Sequence, residues 1–459
     1  QTLLRRGGPR RNIALYAPNT PHFVFGLLGI LGAGHIAVPL SPMLNPEEVS
    51  RLIIHSEIHE LLFDPLLQDK MEEAVKQTGL NIELISIPES LRENPSEIVN
   101  LSPDIDEDEA SMILYTSGTT GNPKGVILSH RNIHSNFLSF KQVIHFTAED
   151  TFVCTLPLHH TYAMTVNLFG SLLVGARLYL FIQFEPRKIV EVFLTEPNIV
   201  YAAVSPMLLL LARFAPDDAM HRHKLHFIIS GGGPLPDEVY HLFKKKYHHE
   251  ILQGYGLTET SPVVAYNPPG SNKIGTIGPP LPGVEVQVRN EQGCILGVNE
   301  IGELCVRGDL VMKGYFKNPE ATKNTFYEDG WLRTGDMASI DEEGYIKIVG
   351  RLKDLIVCGG ENIYPQEVEE TLMRHPAVHE VAVVAKPDRL RSEVPHAFVV
   401  LNEPDKGHIH ESDLRKFCRE HLGEFKVPDS FSFVEVLPRT AKGTVEKKEL
   451  RQRLAASES

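Results

Sequence analysis

The sequence predicts an α/β protein, and three observations carry that expectation. Strand-like apolar runs alternate with helical stretches through the first half of the chain, at "RNIALYA", "HIAVPL", "HELLFD", "SMILY", "TFVCTLPL", "ARLYLFI", "IVYAAV" and "HFIIS". Such a rhythm implies open, mostly parallel sheets flanked by helices. Around residues 273–349 the texture changes to short strands broken by glycine and proline, "VEVQVRN", "GELCVRG" and "GYIKIVG", as in a small barrel. After Arg351 a compact α+β stretch follows, with a helix at "PQEVEETLMRH" and a strand at "VHEVAVVAK".

At 459 residues the chain has room for two or three domains with full cores. The run "FVFGLLGILGAGHIAVPL", Phe23 to Leu40, has the length of a membrane span. Its glycines, His35 and Pro39 divide it instead into a helix ending near Gly32 or Gly34 and a buried strand. No transmembrane segment is expected, and peripheral contact with a membrane stays open. The opening "QTLLRRGGPRR" lacks the apolar core of a signal peptide and does not begin with methionine, so the chain reads as a fragment. A formal charge of -14 argues against nucleic acid as a partner, so any phosphate-rich ligand must be held by local groups and a divalent cation. The five cysteines, Cys154, Cys294, Cys305, Cys358 and Cys418, have no C-x-x-C spacing, which speaks against a zinc site or a disulfide framework and for a reducing, cytoplasmic location.

The stretch "YTSGTTGNPKGV", Tyr115 to Val126, carries the first functional signal. Thr116, Ser117, Thr119 and Thr120 supply hydroxyl donors, Gly118 and Gly121 let a ligand approach the backbone, and Lys124 adds one positive charge. A plain exposed hairpin would use the Gly-Asn-Pro turn but has no need of four hydroxyls. The pattern differs from G-x-x-x-x-G-K-[ST], because Lys124 precedes Gly125 and both flanks look like strands. The loop therefore reads as a phosphate cradle joining strand to strand.

Four more segments converge on the same chemistry. "SGGGPLP" ends the strand "HFIIS" with Gly231, Gly232 and Gly233, and ligands of open α/β sheets gather at the carboxyl ends of strands. "QGYGLTETSP" begins with Gln253, Gly254, Tyr255 and Gly256, then adds the Thr258 hydroxyl and the Glu259 carboxylate. That set suits a nucleotide through ring stacking, phosphate contact and oxygen ligation of Mg²⁺. "GWLRTGD" and "GRLKDLIVCGGENIYP" bring Asp336 and Arg351, a carboxylate and a guanidinium able to grip ribose hydroxyls.

In this order and spacing the segments resemble the adenylate-forming superfamily, which includes acyl-CoA synthetases, nonribosomal peptide adenylation domains and luciferases. The likeness runs from "IALYAPNTPHFVFGLLGILGAGHIAVPLSP" to "KKELRQRL" and is weakest at the front, where family members carry a further N-terminal segment. It implies a large N-terminal domain, 1–350, of two α/β subdomains and a distorted barrel, a hinge at 351–353 centred on Lys353, and a small mobile C-terminal lid, 354–459. It also implies two steps, in which a carboxylic acid and ATP give acyl-AMP and pyrophosphate, and coenzyme A thiol then displaces AMP. By the same resemblance Thr116 to Lys124 hold the β- and γ-phosphates, Glu259 the Mg²⁺, Gly231 to Gly233 with Tyr255 the adenine, and Thr258 the α-phosphate. Asp336 and Arg351 fall to the ribose, His160 to a gate beside the acyl carboxylate, and Gly359 and Gly360 to the pantetheine tunnel.

"YAMTVNLFG", "SPMLLLLA" and "TSPVVAY", the segments expected to line the acyl pocket, are apolar and hold no acid that would pair with an amino-acid ammonium. A medium- or long-chain fatty acid is the expected substrate, with an aryl or other carboxylate as the alternative. The wording around "GYGLTETSPVVAYNPP" is similar to that of bacterial fatty acyl-CoA synthetases. One departure bears on activity. Where the family reads P-x-T-x-x-G-K, this chain reads "PRTAKGT", so Thr444 replaces the lysine that bridges carboxylate and phosphate, and Lys442 is the candidate substitute. In an extended segment the two positions share a face roughly 6.5 Å apart, within reach of a lysine stem. Without that substitution of roles, the chain is a catalytically weakened ATP-binding relative.

Overall fold

Apolar, β-branched runs bounded by turn residues form twenty-two strands among the residues that the structure, a computed structural model, describes: 3, 10–92, 105–116, 124–439 and 445–457. The first group is β1 (Asn12–Tyr16), β2 (Ile36–Pro39), β3 (Glu60–Phe63), β4 (Glu83–Ser86), β5 (Ala110–Thr116) and β6 (Lys124–Ser129). The second is β7 (Thr151–Cys154), β8 (Arg177–Leu180), β9 (Ile199–Ala203), β10 (Leu225–Ser230), β11 (Ile251–Gly256) and β12 (Val263–Tyr266). There follow β13 (Glu285–Arg289), β14 (Gly302–Arg307), β15 (Gly314–Tyr315), β16 (Leu332–Ile340) and β17 (Ile346–Arg351). The last are β18 (Ile356–Cys358), β19 (Glu361–Ile363), β20 (Val378–Asp388), β21 (Ser392–Leu401) and β22 (Ser430–Phe433).

Sheet order is β15-β6-β5-β2-β1-β3-β4 in the first sheet and β12-β11-β10-β9-β7-β8 in the second. As the alternation predicts, β1 to β5 pair in parallel, as do β7 to β11, and the helices between them cover the faces. The antiparallel members sit at one end of each sheet, β6 and β15 in the first and β12 in the second. Parallel pairing puts the ends of β7, β9, β10 and β11 along one edge, which is where His160, Gly231 and Tyr255 emerge. The segment Phe23 to Leu40 is the expected helix, Pro21–Gly32, followed by β2. No helix among the described residues is long and apolar enough to cross a membrane.

The glycine-broken strands β13, β14, β16 and β17 make a four-stranded sheet. Farther on, β19-β18-β21-β20 with β22 beside β21 form a five-stranded sheet whose two faces have separate cores. Along β20, Val383 packs against Val368, Leu372 and Leu414, while its neighbour Val384 points the other way onto Leu450 and Leu454 of the helix Lys447–Ser457. That alternation is the period of two of a strand buried on both sides. The chain divides into two compact units, one of 1–286, 305–333 and 343–346, the other of 287–304, 334–342 and 347–459.

Candidate active site

In the first unit β5 and β6 run antiparallel on either side of the predicted phosphate loop, with Thr116 opposite Lys124. Ser117, Gly118, Thr119, Thr120 and Gly121 lie outside the described residues. Gly125 is required by packing, since a Cβ there would stand 2.8 Å from Ile113 Cγ2. The Lys124 ammonium lies over the ring of Tyr315, 4.8 Å from its centroid. Tyr315 in turn donates from Oη to Glu259 Oε1 at 2.8 Å. Burial, with the Glu259 charge beside it, raises the pKa of this phenol, so it stays protonated and donating.

The turn that carries Thr258 and Glu259 is pinned from below. Thr260 is fully buried and its Oγ1 donates to Pro262 O at 2.7 Å. Thr165 Oγ1 donates to Ser261 O at 3.0 Å, and Ser261 Oγ to Leu310 O at 2.8 Å. Asn136 closes the far side, giving Nδ2 to Val263 O at 2.6 Å and accepting from Val263 N at 3.2 Å. The glycines of "QGYG" are explained by the fold: a Cβ on Gly254 would meet the Tyr266 ring at 2.6 Å, and one on Gly256 would lie 1.8 Å from Pro262 O. Gln253 anchors the same strand through its carbonyl, which accepts from Asn267 N at 3.0 Å. Tyr255, between them, is half-buried.

The three glycines after β10 differ in their reasons. A Cβ on Gly231 would press on the Tyr162 ring at 3.1 Å; Gly232 has φ +74; Gly233 has nothing within 4 Å of a Cβ. Only Gly233 therefore faces open space without a steric or conformational need for glycine. Tyr162 donates to Ile229 O at 3.2 Å, and its backbone N–H approaches His160 Nδ1 at 3.4 Å, so His160, Tyr162 and Gly231 form one contiguous patch. Next in sequence comes a seven-residue π-helix, Ala163–Phe169, buried along Ala163 to Leu168. Lengths of π-helix concentrate at functional sites. By contrast Leu208, Leu211 and Ala212 of "SPMLLLLA" are spent on the core with Tyr201, Phe243 and Tyr247.

In the second unit Gly335, at φ +72, lies within β16 directly before Asp336. Asp336 is buried, and its Oδ1 lies 3.3 Å from Arg351 Nε; Gly335 N donates to Glu303 Oε1 at 3.2 Å. Gly359 and Gly360 are the two central residues between β18 and β19, both with positive φ. A tight hairpin of that kind already demands glycine, and a Cβ on either would meet nothing within 4 Å. Lys353 sits in the 3₁₀ turn Leu352–Asp354, its pKa lowered by burial and by the Arg351 charge. Lys442 and Thr444 lie outside the described residues; on either side of them Arg439 and Val445 pair antiparallel.

Tyr315 and Asn136 were not singled out by motif reading, and Tyr162 entered only as the first residue of the segment expected to line the acyl pocket. Tyr315 and Asn136 reach the site through contacts between segments distant in sequence, whereas Tyr162 stands two positions from His160. Among the described residues no group of three or more His, Cys, Asp and Glu could hold a metal. A lone carboxylate such as Glu259 still fits Mg²⁺, which takes one or two carboxylates and completes its shell with water and phosphate oxygens.

The fold and these residues define an adenylate-forming enzyme. Residues 2–316 match the AMP-binding enzyme family, and residues 367–444 its C-terminal domain. Long-chain-fatty-acid–CoA ligase FadD13 of Mycobacterium tuberculosis is 32% identical over 454 residues, covering 97% of this chain and 88% of that protein. 4-Coumarate–CoA ligase 3 of Oryza sativa subsp. japonica is 31% identical over 456 residues, covering 95% and 82%. The structure of o-succinylbenzoate coenzyme A synthetase (MenE) from Bacillus subtilis, in complex with ATP and magnesium ion, superposes with a TM-score of 0.83 at 30% identity, covering 98% of this chain and 91% of that one. The chain thus belongs to the AMP-binding enzyme family, as an acid–thiol ligase of the acyl- and aryl-CoA ligase type that uses ATP and coenzyme A.

Proposed function

We propose that the protein activates a medium- or long-chain fatty acid as its acyl-adenylate and passes the acyl group to coenzyme A. The observation that carries the site assignment is that one phenol, Tyr315, touches both Lys124 and Glu259. The cation assigned to the phosphates and the carboxylate assigned to Mg²⁺ are thereby neighbours. In the first step a carboxylate oxygen of the acid attacks the α-phosphorus and pyrophosphate leaves. Lys124, with Thr116 and the loop from Ser117 to Gly121, holds the β- and γ-phosphates; Thr258 donates to the α-phosphate. Gly231 to Gly233 and Tyr255 receive the adenine, while Asp336 and Arg351 take the ribose hydroxyls. Mg²⁺ supplies charge neutralisation on the phosphates when bound. His160 stands beside the acyl carboxylate. In the second step the thiol attacks the acyl carbonyl and AMP leaves, with the pantetheine arm passing Gly359 and Gly360. The working division is an adenylation domain at 1–350, a pivot at 351–353 and a lid at 354–459.

Support for a fatty substrate comes from Ala163, Met164, Val166 and Leu168, which with Val263, Val264 and Ala265 give buried apolar surface and no acid. A second reading, an aryl acid with a polar substituent, draws on Tyr266. Its hydroxyl is buried without a hydrogen-bond partner among the described residues, and a substrate hydroxyl would supply one. Pyrophosphate exchange across a panel of C6 to C18 acids and hydroxylated aryl acids separates the two readings. Exchange with neither class, in a folded protein, removes both and leaves a nucleotide-binding relative.

A further inference from the structure

Segment 312–315 grips Glu259 at both ends. Met312 N donates to the Glu259 backbone carbonyl at 2.9 Å, and Tyr315 Oη donates to its side-chain Oε1 at 2.8 Å. The segment is itself fixed on two sides. Lys313 N donates to Ile127 O at 3.0 Å and Phe316 N to Gly125 O at 2.7 Å, which makes β15 an added strand on β6. Tyr315 N donates to Thr322 Oγ1 at 2.9 Å, and Gly314 leaves room for that threonine, since a Cβ there would lie 2.8 Å from Thr322 Cγ2. Tyr315 has no freedom to swing away, and it is buried.

We propose that Tyr315 is the positioning residue of the nucleotide–metal site, holding the Glu259 carboxylate by one oxygen and the Lys124 ammonium by its ring face, so that the two opposite charges stay separate before the ligand arrives. The proposal rests on the assignment of Glu259 to the metal and Lys124 to phosphate. A lysine and a carboxylate this close would otherwise close into an ion pair, and each would have to be pulled from the other before it met phosphate or cation. Among the described residues they form no such pair. With Oε1 committed to the phenol, Oε2 has no hydrogen-bond partner among the described residues and remains to meet a hard cation. With the ammonium over the ring, its donors remain for phosphate oxygens. The arrangement is preorganisation in the sense that matters for catalysis, because nothing has to reorient when charge arrives.

The test measures binding rather than turnover. Mn²⁺ affinity is read by electron paramagnetic resonance of the free ion in the presence of saturating ATP, on the full chain, and ATP affinity is read separately with a chelator present. Tyr315→Phe keeps the ring and removes only the hydroxyl. It should weaken Mn²⁺ on the order of tenfold, as loss of a partner to a metal ligand does, and leave chelator-phase ATP binding unchanged. Tyr315→Leu removes the ring as well, and should weaken ATP binding even without metal because Lys124 then falls onto Glu259. In a Glu259→Gln background Tyr315→Phe should cost nothing further. If Glu259→Gln loses Mn²⁺ but Tyr315→Phe does not, the positioning role is overturned and the site assignment stands. If Glu259→Gln binds Mn²⁺ like wild type, both are overturned. Circular dichroism of each variant checks that the fold is kept; if Tyr315→Leu does not fold, the Tyr315→Phe and double-variant results decide.

Discussion

Arg451 Nη2 lies 2.5 Å from Asp354 Oδ1, tying the helix Lys447–Ser457 to the residue directly after Lys353. On the other side of Lys353, Arg351 is paired with Asp336. Only Leu352 and Lys353 therefore stand between the two ion pairs, and on the proposed division the rotation of the lid would fall on their backbone angles. Arg451→Ala frees the downstream side and should change the ratio of pyrophosphate exchange to thioester formation from supplied acyl-AMP by several-fold, with both steps still measurable. An unchanged ratio removes the tether from the mechanism. Arg451→Asp with Asp354→Arg should restore the wild-type ratio.

Lys353→Pro fixes φ at the proposed pivot and removes a donor. The expected result is selective loss of one half-reaction, whichever pose the proline excludes. Equal loss of both, in a folded protein, would place the pivot elsewhere.

The cation of the first step is addressed at Lys442 and Thr444. Thr444→Lys should raise the rate of adenylation without changing thioester formation from acyl-AMP, and Lys442→Ala should lower adenylation only if Lys442 has taken over the role of the replaced lysine. Brisk wild-type adenylation with both variants silent would mean that another cation serves.

Asn136→Ala removes the side chain that serves both the N–H and the carbonyl of Val263. Leaving those groups unpaired in a buried position should cost about 2 kcal/mol in urea unfolding and weaken the step proposed to depend on Glu259. A change of a few tenths would show that water replaces the amide at no cost.

His249 is half-buried beside His223, with ring centroids 5.8 Å apart. Burial, followed by the His223 charge, lowers its pKa from 6.5 to about 4. The unfolded chain therefore binds the extra proton between those values. Stability from this group is complete above about pH 6.5 and is lost as the pH falls towards 4. Thermal scans of wild type against His249→Gln should keep a constant offset above about pH 6.5, and the wild type should lose stability relative to the variant as the pH falls towards 4. Parallel curves would mean that His249 titrates normally in the fold.

Much of the architecture was legible because it is written locally. The runs "IALY", "IVYAA" and "HFIIS" are short, β-branched and bounded by turn residues, and they became β1, β9 and β10. The phosphate loop was legible as a strand-to-strand connection because Val126 to Leu128 showed no helical period. The two-residue strand β15 was not, since nothing in "KGYFK" states that it will pair with β6, and with it Tyr315 escaped notice. The π-helix escaped for another reason: a buried apolar run has the same composition whatever its winding. Gly254, Gly256, Gly359 and Gly360 owe their identity to close packing or turn geometry, so their presence in a motif says less about ligand than Gly233 does.

The winding of Ala163–Phe169 gives this buried segment an unusual response to changes in length. A π-helix carries one residue more between bonded partners than an α-helix, so removing a single residue lets the ladder close as an α-helix. Side chains between the deletion and the end of the segment would then swing by about 100° around the axis, while the helix beyond keeps its register. Single-residue deletions here would exchange which of Met164, Val166 and Leu168 share a side of the helix, and, if the segment lines the acyl pocket as proposed, would change substrate preference without a substitution.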